Sequence, residues 1–191
     1  MKRAWTVLAL AVVAVAWTGC GSGGSDDGNP SDGGSSTVAA SFVADEPAPA
    51  AGDVTLQEGS KSANTVSVLV NVTGVNDVYG ASFDVEFDPT KVEYVGHSAG
   101  NVLESGSHKP QYLVGGSPGN GRIVVFASRV GAVAGVDVAG TGTLMRLSFR
   151  VKAEGSFPMA IEVPALLNDA ATPTPITGLT WHAGSAVGVG S

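Results

Sequence analysis

Tyr79-Gly80-Ala81-Ser82-Phe83-Asp84-Val85-Glu86-Phe87-Asp88-Pro89 changes character at every residue. Tyr79, Ala81, Phe83, Val85 and Phe87 fall on one side, and Gly80, Ser82, Asp84, Glu86 and Asp88 on the other. A period of two belongs to the β-strand, whose successive side chains point to opposite faces. The stretch therefore reads as a strand with one face on a core and one in water, ended by Asp88-Pro89.

The same pattern spreads outward in both directions. Upstream, Val66, Val68, Val70 and Val72 share one face, with Ser67, Leu69, Asn71 and Thr73 opposite, and Gly74 with Asn76-Asp77 predicts a turn. Downstream, Val92 to Val95 and Gln111 to Val114 read as short strands. Ser117-Pro118-Gly119-Asn120-Gly121 is a turn, and it leads into Arg122 to Ala127. In that strand Val124 and Phe126 are expected to face inward and Ile123, Val125 and Ala127 outward. The glycine-rich run from 131 to 142 predicts a long loop. Leu144 to Lys152 alternates again, with Met145, Leu147, Phe149 and Val151 on one side and Leu144, Arg146, Ser148 and Arg150 on the other. Residues 160–163 and 178–189 supply closing strands. Eight or nine short strands without a helix-period run predict an all-β fold, a jelly-roll β-sandwich, over residues 53–190.

Ahead of this domain the composition changes. Residues 21–52 are mostly Gly, Ser, Asp, Pro and Ala, with Val38, Phe42 and Val43 the only larger apolar side chains after Cys20. Such a segment buries too little to offset its ordering entropy, and it is expected to be a flexible tether. Before it, Lys2 and Arg3 precede an apolar run from Ala4 to Trp17 broken only by Thr6, the layout of a secretory signal. About fourteen residues span only ~21 Å as a helix, short of the ~30 Å hydrocarbon core, so a spanning helix is not expected. Trp17-Thr18-Gly19-Cys20 resembles the bacterial lipobox. The resemblance implies a signal peptide over 1–19, lipidation of Cys20, and a linker over 20–52 that holds the domain off the membrane. Gly21 after the cysteine implies the outer membrane if the cell has two membranes. Cys20 is the sole cysteine of the 191 residues, so its lipidation leaves no thiol for a disulfide, a metal or nucleophilic catalysis.

Loss of Lys2 and Arg3 with the signal takes the net charge from −7 to −9. So acidic a chain repels phosphate backbones, and no nucleic-acid partner is expected.

The alternating stretch and its continuation, Tyr79 to Val95, resemble the third and fourth strands of cohesin domains, where a strand runs into a "D-P-x-x-L/V-E" corner. Gly121 to Ala127 is similar to the sixth strand of that family, and Gly142 to Lys152, with its "F-x-V-K" ending, to the eighth. The resemblance implies a nine-stranded jelly roll related to carbohydrate-binding modules. It also implies a non-catalytic role in capturing a dockerin-bearing protein, often a polysaccharide-degrading enzyme, on the sheet of strands eight, three, six and five. Carried over by position, the contacts fall on Gly80, Ser82, Ile123, Val125, Ala127, Ser128 and Gly131. The type I pattern has Asn and Asp where this chain has Gly80 and Ser82, and an acid at Ser128. Neighbouring third and eighth strands would also set Asp84 and Glu86 beside Arg146 and Arg150, cross-strand pairs contributing about 0.2–1 kcal/mol each.

Catalysis is not expected. His97, His108 and His182 lie in or near predicted loops, and no metal-ligand spacing or nucleophile elbow frames a side chain. Asp84 and Glu86 share a face at about 6.6–7 Å by strand rise, close to glycosidase separations, but on an open sheet. Asp77, Asp88 and Asp137 lie in loops without a calcium-binding repeat. No metal and no cofactor are expected. Two other readings remain on the related scaffold: a polysaccharide-binding module and a structural envelope spacer. The aromatics are few, and Phe83, Phe87, Phe126 and Phe149 all fit core positions. Only Tyr79, Tyr94, Tyr112 and Trp181 remain as candidates for a sugar-stacking surface.

Overall fold

The computed structural model describes residues 38–104, 109–168 and 173–190. The expected signal peptide, Cys20 and the linker as far as residue 37 lie outside the described residues, as does His108.

Eleven strands make up the described chain: β1 Val38–Ala44, β2 Asp53–Ser62, β3 Thr65–Val78, β4 Gly80–Glu86, β5 Val92–Ala99, β6 Gln111–Ser117, β7 Arg122–Ser128, β8 Val136–Val151, β9 Gly155–Leu167, β10 Thr180–His182 and β11 Gly184–Gly190. A 3-10 turn, Pro118–Asn120, joins β6 to β7 and ends on Gly121 in the left-handed region. The strands form two sheets, in the orders β1-β11-β9-β4-β7-β6 and β10-β2-β3-β8-β5. All pairings are antiparallel except β10 with β2. This is the sandwich that the alternation predicts.

The core lies where the two apolar faces meet. Val66, Val68, Val70 and Val72 of β3 are fully buried, as are Leu147, Phe149 and Val151 of β8. Opposite them stand Ala81, Phe83 and Val85 of β4. Phe149 meets Phe87 edge-on at 5.5 Å and Tyr94 at 5.8 Å, and Trp181 tilts onto Phe83 at 5.6 Å. Tyr94 and Trp181 therefore pack against the core rather than forming a stacking surface.

Four features differ from the expectations drawn from sequence. First, residues 38–44 are not tether. They form β1, paired along its whole length with β11 from Val38↔Gly190 to Ala44↔Gly184, and Ala40 and Phe42 are buried in the core. Every second residue of this short run reaches the core, and a strand from the far end of the chain supplies the ladder. Second, the chain does not turn at Gly74 and Asn76-Asp77. β3 continues to Val78 through register shifts, with Gly74 and Asp77 both at φ 59°. A Cβ at Gly74 would lie 2.6 Å from that of Ala51, so glycine there permits both the conformation and a close crossing.

Third, β8 pairs with β3 and β5, not with β4; the expected loop of 131–142 gives way to strand at Val136. Fourth, β7 is turned over: Ile123, Val125 and Ala127 are fully buried, whereas Val124 and Phe126 are exposed. Both of its faces are apolar, so alternation alone does not say which one the core takes.

β1 is an edge strand whose two central outward donors are occupied. The Asp45 N–H turns to Ala183 O in the β11 direction, and the even-numbered residues face the open side. There the Ala40 N–H donates to Ala63 O at 2.9 Å, and the Phe42 N–H to Glu58 Oε2 at 2.8 Å. Lys61 Nζ holds the other Glu58 oxygen at 3.0 Å. The Phe42 N–H keeps the Glu58 carboxyl below its ordinary pKa, against the opposing pull of burial, with Lys61 helping. Such a group stabilises the fold fully above its unfolded pKa and loses that contribution as pH falls through the lower folded value. Replacing Glu58 with Ala is expected to cost about 1 kcal/mol, read as a fall in Tm of about 3 °C at neutral pH. The gap between wild type and variant should close as acid protonates the carboxylate; a gap independent of pH refutes the assignment.

Candidate functional site

The outer face of the six-stranded sheet is most open across β9, β4, β7 and β6. The register aligns its outward residues in rows. Leu113 of β6 faces Phe126 of β7, which faces Ser82 of β4 and then Ala165 of β9. In the next row Gly115, Val124, Asp84 and Glu162 stand side by side, and beyond it Ser117, Arg122, Glu86 and Ala160. Leu113, Val124 and Phe126 are 69%, 39% and 43% exposed, and with Gly115 and Gly116 they line a shallow apolar groove. β9 adds Val163, 77% exposed, at a shift in register where it stands at φ 46°. A β-branched residue rarely adopts that conformation, and the bulge carries it outward.

Charge borders this apolar strip. Arg122 Nε donates to Asp84 Oδ2 at 3.0 Å, and its Nη2 reaches the same oxygen. The Asp84 side chain is 9% exposed, so the pair is largely withdrawn from water on the acid's side. Asp84 chiefly, with Glu86 and Glu162 adding through space, raises the Arg122 pKa above its ordinary value. Three carboxylates thus surround one guanidinium, and the patch is net acidic.

The residues proposed from sequence divide. Ser82 and Glu86 lie on this face as expected, Ser82 half-buried and Glu86 exposed. Asp84 lies there too, but it belongs to Arg122. Gly80 is a packing position, because a Cβ would sit 2.7 Å from Ala127 O. At the end of β7 the Ser128 hydroxyl donates to Arg129 O at 2.8 Å, and Gly131 O accepts the Tyr79 hydroxyl at 2.9 Å. Ile123, Val125 and Ala127 are removed from the site, since they fill the core. Arg146 and Arg150 are removed as well, because β8 belongs to the other sheet. There Arg146 Nη1 donates to Ala99 O at 3.0 Å, and Arg150 Nη1 pairs with Glu93 Oε2 at 3.1 Å. Asp84 and Glu86 therefore do not meet Arg146 or Arg150.

Sequence reading missed Leu113, Val124 and Phe126. A signal was present: Arg122 and Ser128 close β7 at both ends and share the parity of Val124 and Phe126, marking that face as the wet one. Gln111 and Ser117 do the same for Leu113.

The remaining polar candidates serve the fold. Asp88 Oδ1 accepts both the N–H and the hydroxyl of Thr90, which lowers its pKa. Asp137 Oδ1 accepts the Asp77 N–H at 2.9 Å. His97 and His182 lie in strands, His97 against the Tyr94 hydroxyl at 2.9 Å and His182 against Asp53 at 3.3 Å. Among the described residues no cluster of three or more His, Cys, Asp or Glu is placed to hold a metal ion.

Comparison with known proteins bears on the family and the fold. A family model described as the cohesin domain matches residues 52–177. No curated protein sequence matches the chain significantly. The fold is similar to the second type II cohesin module of the adaptor ScaA scaffoldin of Acetivibrio cellulolyticus, with a TM-score of 0.56 and 15% identity over 78% of this chain and 88% of that one. It is similar to the sixth cohesin of scaffoldin B from the same organism, solved in complex with a mutant Cel5 dockerin, with a TM-score of 0.51 and 22% identity over 64% and 86% of the two chains. The seventh ScaB type I cohesin of Pseudobacteroides cellulosolvens gives a TM-score of 0.50 and 18% identity over 64% and 80%. At these identities the likeness is one of fold.

The two outer-face ion pairs offer a test of local chemistry. Removing Arg122 strands a nearly buried carboxylate, whereas removing Arg150 leaves Glu93, 48% exposed, to water. Arg122→Ala should lower Tm clearly more than Arg150→Ala, and Asp84→Asn should recover part of the loss in the Arg122→Ala background. Equal losses would show that Asp84 does not depend on Arg122.

Proposed function

This chain belongs to the cohesin family, and from that premise we propose that it is a receptor that captures a dockerin-bearing protein on the outer face of β9, β4, β7 and β6. The observation that carries the reading is the apolar strip of Leu113, Val124 and Phe126. A flat sheet face that leaves three large apolar side chains in water, bordered by charge, has the composition of a protein interface. Solved cohesins of similar fold are in complex with dockerins. The contact is displaced from the one expected by sequence: Val124 and Phe126 of β7 take the place of Ile123, Val125 and Ala127, and β9 rather than β8 completes the face. With serine, alanine and valine around an acidic patch, a partner's apolar side chains would contact β6 and β7, and a basic one would meet Glu86 or Glu162.

In this reading the domain is exported and held at the cell envelope by lipid on Cys20, in the outer membrane of a cell with two membranes. Two or more acyl chains supply the durable anchoring that one chain does not. Binding without catalysis then brings a second protein, in this family's setting a polysaccharide-degrading enzyme, to the cell surface.

Two measurements test the proposal. The immobilised chain should retain from a lysate of its source organism a protein with duplicated calcium loops, released by a chelator. Phe126→Asp should weaken that capture by at least about tenfold with Tm unchanged, and Arg150→Glu on the opposite sheet should leave it intact. Capture indifferent to Phe126→Asp, or competed by polysaccharide, overturns the assignment. Cys20→Ser should move the protein from the membrane fraction to the soluble one; retention in the membrane overturns the anchor.

A further inference from the structure

Four strands end the two sheets, and three of their free edges are blocked. β1 has its two central outward N–H groups, those of Ala40 and Phe42, taken by Ala63 and Glu58. β5 carries Glu93 and shifts register after Tyr94, and β10 is three residues long. Native proteins blunt edges by such means, because unpaired N–H and C=O groups invite another strand. β6 has none of these. Gln111–Ser117 is seven residues with no charge and no proline.

Which of its groups are free follows from the register. The Arg129 N–H donates to Tyr79 O and the Phe87 N–H to Gly121 O, so odd-numbered residues of β7 bond to β4 and even-numbered ones to β6. Ser128, Phe126 and Val124 face Gln111, Leu113 and Gly115. The backbone groups of Tyr112 and Val114 therefore point out along the free edge, and Gly116, at φ 100°, continues it at the β7 end; none has a bond to another described residue.

We propose that this edge pairs with β6 of a second copy of the chain, antiparallel and centred on Val114. Centring on Val114 sets Tyr112 opposite Gly116 of the second copy and Val114 opposite its counterpart, and these are the residues with free groups. Two backbone hydrogen bonds form at the central Val114 pair, and up to about four more at the two Tyr112–Gly116 pairs, two for each hydrogen-bonded residue pair. The same register sets Leu113 opposite Gly115 of the second copy, in the non-hydrogen-bonded arrangement that brings side chains closer. Space above Gly115 is open, with nothing within 4 Å of where a Cβ would stand, and Val124 and Phe126 flank it. The exposed Leu113 of each copy thus enters the groove of the other. An uncharged strand brings no like charges together, so the contact is self-complementary about a two-fold axis. The two sheets become one of twelve strands, with the outer faces of both copies side by side. The pairing needs no other protein, so it stands or falls independently of dockerin capture.

Sedimentation of the full chain over a dilution series tests it, with hydrogen exchange on the same samples. The expected result is a mass that halves on dilution, and amides of Tyr112, Val114 and Gly116 that are protected only at high concentration. The Leu113 amide, bonded to β7, should stay protected throughout. Leu113→Lys changes an exposed side chain, should keep its Tm, and should be monomeric at every concentration. A wild-type chain that stays monomeric overturns the proposal, whether the edge is empty or takes a strand of another protein. So does a dimer that survives Leu113→Lys while those three amides exchange freely.

Discussion

Exclusion of water between two sheets holds this domain together and fixes everything on its surface. Its one cysteine lies at residue 20, ahead of every described strand, so no disulfide can brace the sandwich. Stability must come from burying alternate side chains of β3, β8, β4 and β7 against one another, at roughly 25 cal/mol for each Å² of apolar surface. Because side chains alternate, a residue committed to the core turns its neighbours to the other face, save where a register shift intervenes, as at Leu144, which is buried beside Met145. Val125 in the core places Val124 and Phe126 in water. The apolar strip on the outer face is thus the reverse side of the core's own pattern.

Where the two faces of a strand differ in polarity, this logic is legible in sequence. Val66 to Val72 against Ser67 to Thr73 leaves one solution, and so do Phe83 and Val85 against Ser82 and Glu86; all of these face as expected. In Arg122 to Ser128 the middle five residues are apolar, and only the terminal Arg and Ser carry the information. Pairing is less legible still. β4 and β8 both show an apolar inner face and a charged outer one, and nothing in either pattern says that β9 rather than β8 lies beside β4. Registry depends on the whole set of sequence-distant contacts, which a local period does not encode. β1 was hidden for a related reason: seven small and apolar residues in a glycine- and serine-rich stretch become a strand only because β11, about 140 residues later, offers a ladder.

The candidate site combines apolar exposure with acid charge restrained by one arginine. Arg122 neutralises the most buried acid, Asp84, and leaves Glu86 and Glu162 to set the sign of the patch. The exposed surface is apolar at β7 and β6 and polar or charged at β4 and β9. In the proposed receptor such a division would separate affinity, from the apolar part, from orientation and encounter rate, from the charged part. The strained Val163 at the β9 bulge adds a second apolar point on the far side, two strand spacings or about 10 Å from β7.

The pairing of Val38 with Gly190 sets the chain's entry into the sandwich next to its exit. Neighbouring antiparallel residues stand about 4.5–5.5 Å apart, a gap that the two arms of an ordinary hairpin already bridge. A domain whose ends meet so closely is portable: it can be spliced into a surface hairpin of an unrelated host protein without prying the host apart. β6 would then lie about 24 Å from the splice, five strand spacings away, and point outward. The same closure makes the sandwich a ready-made cassette for protein engineering.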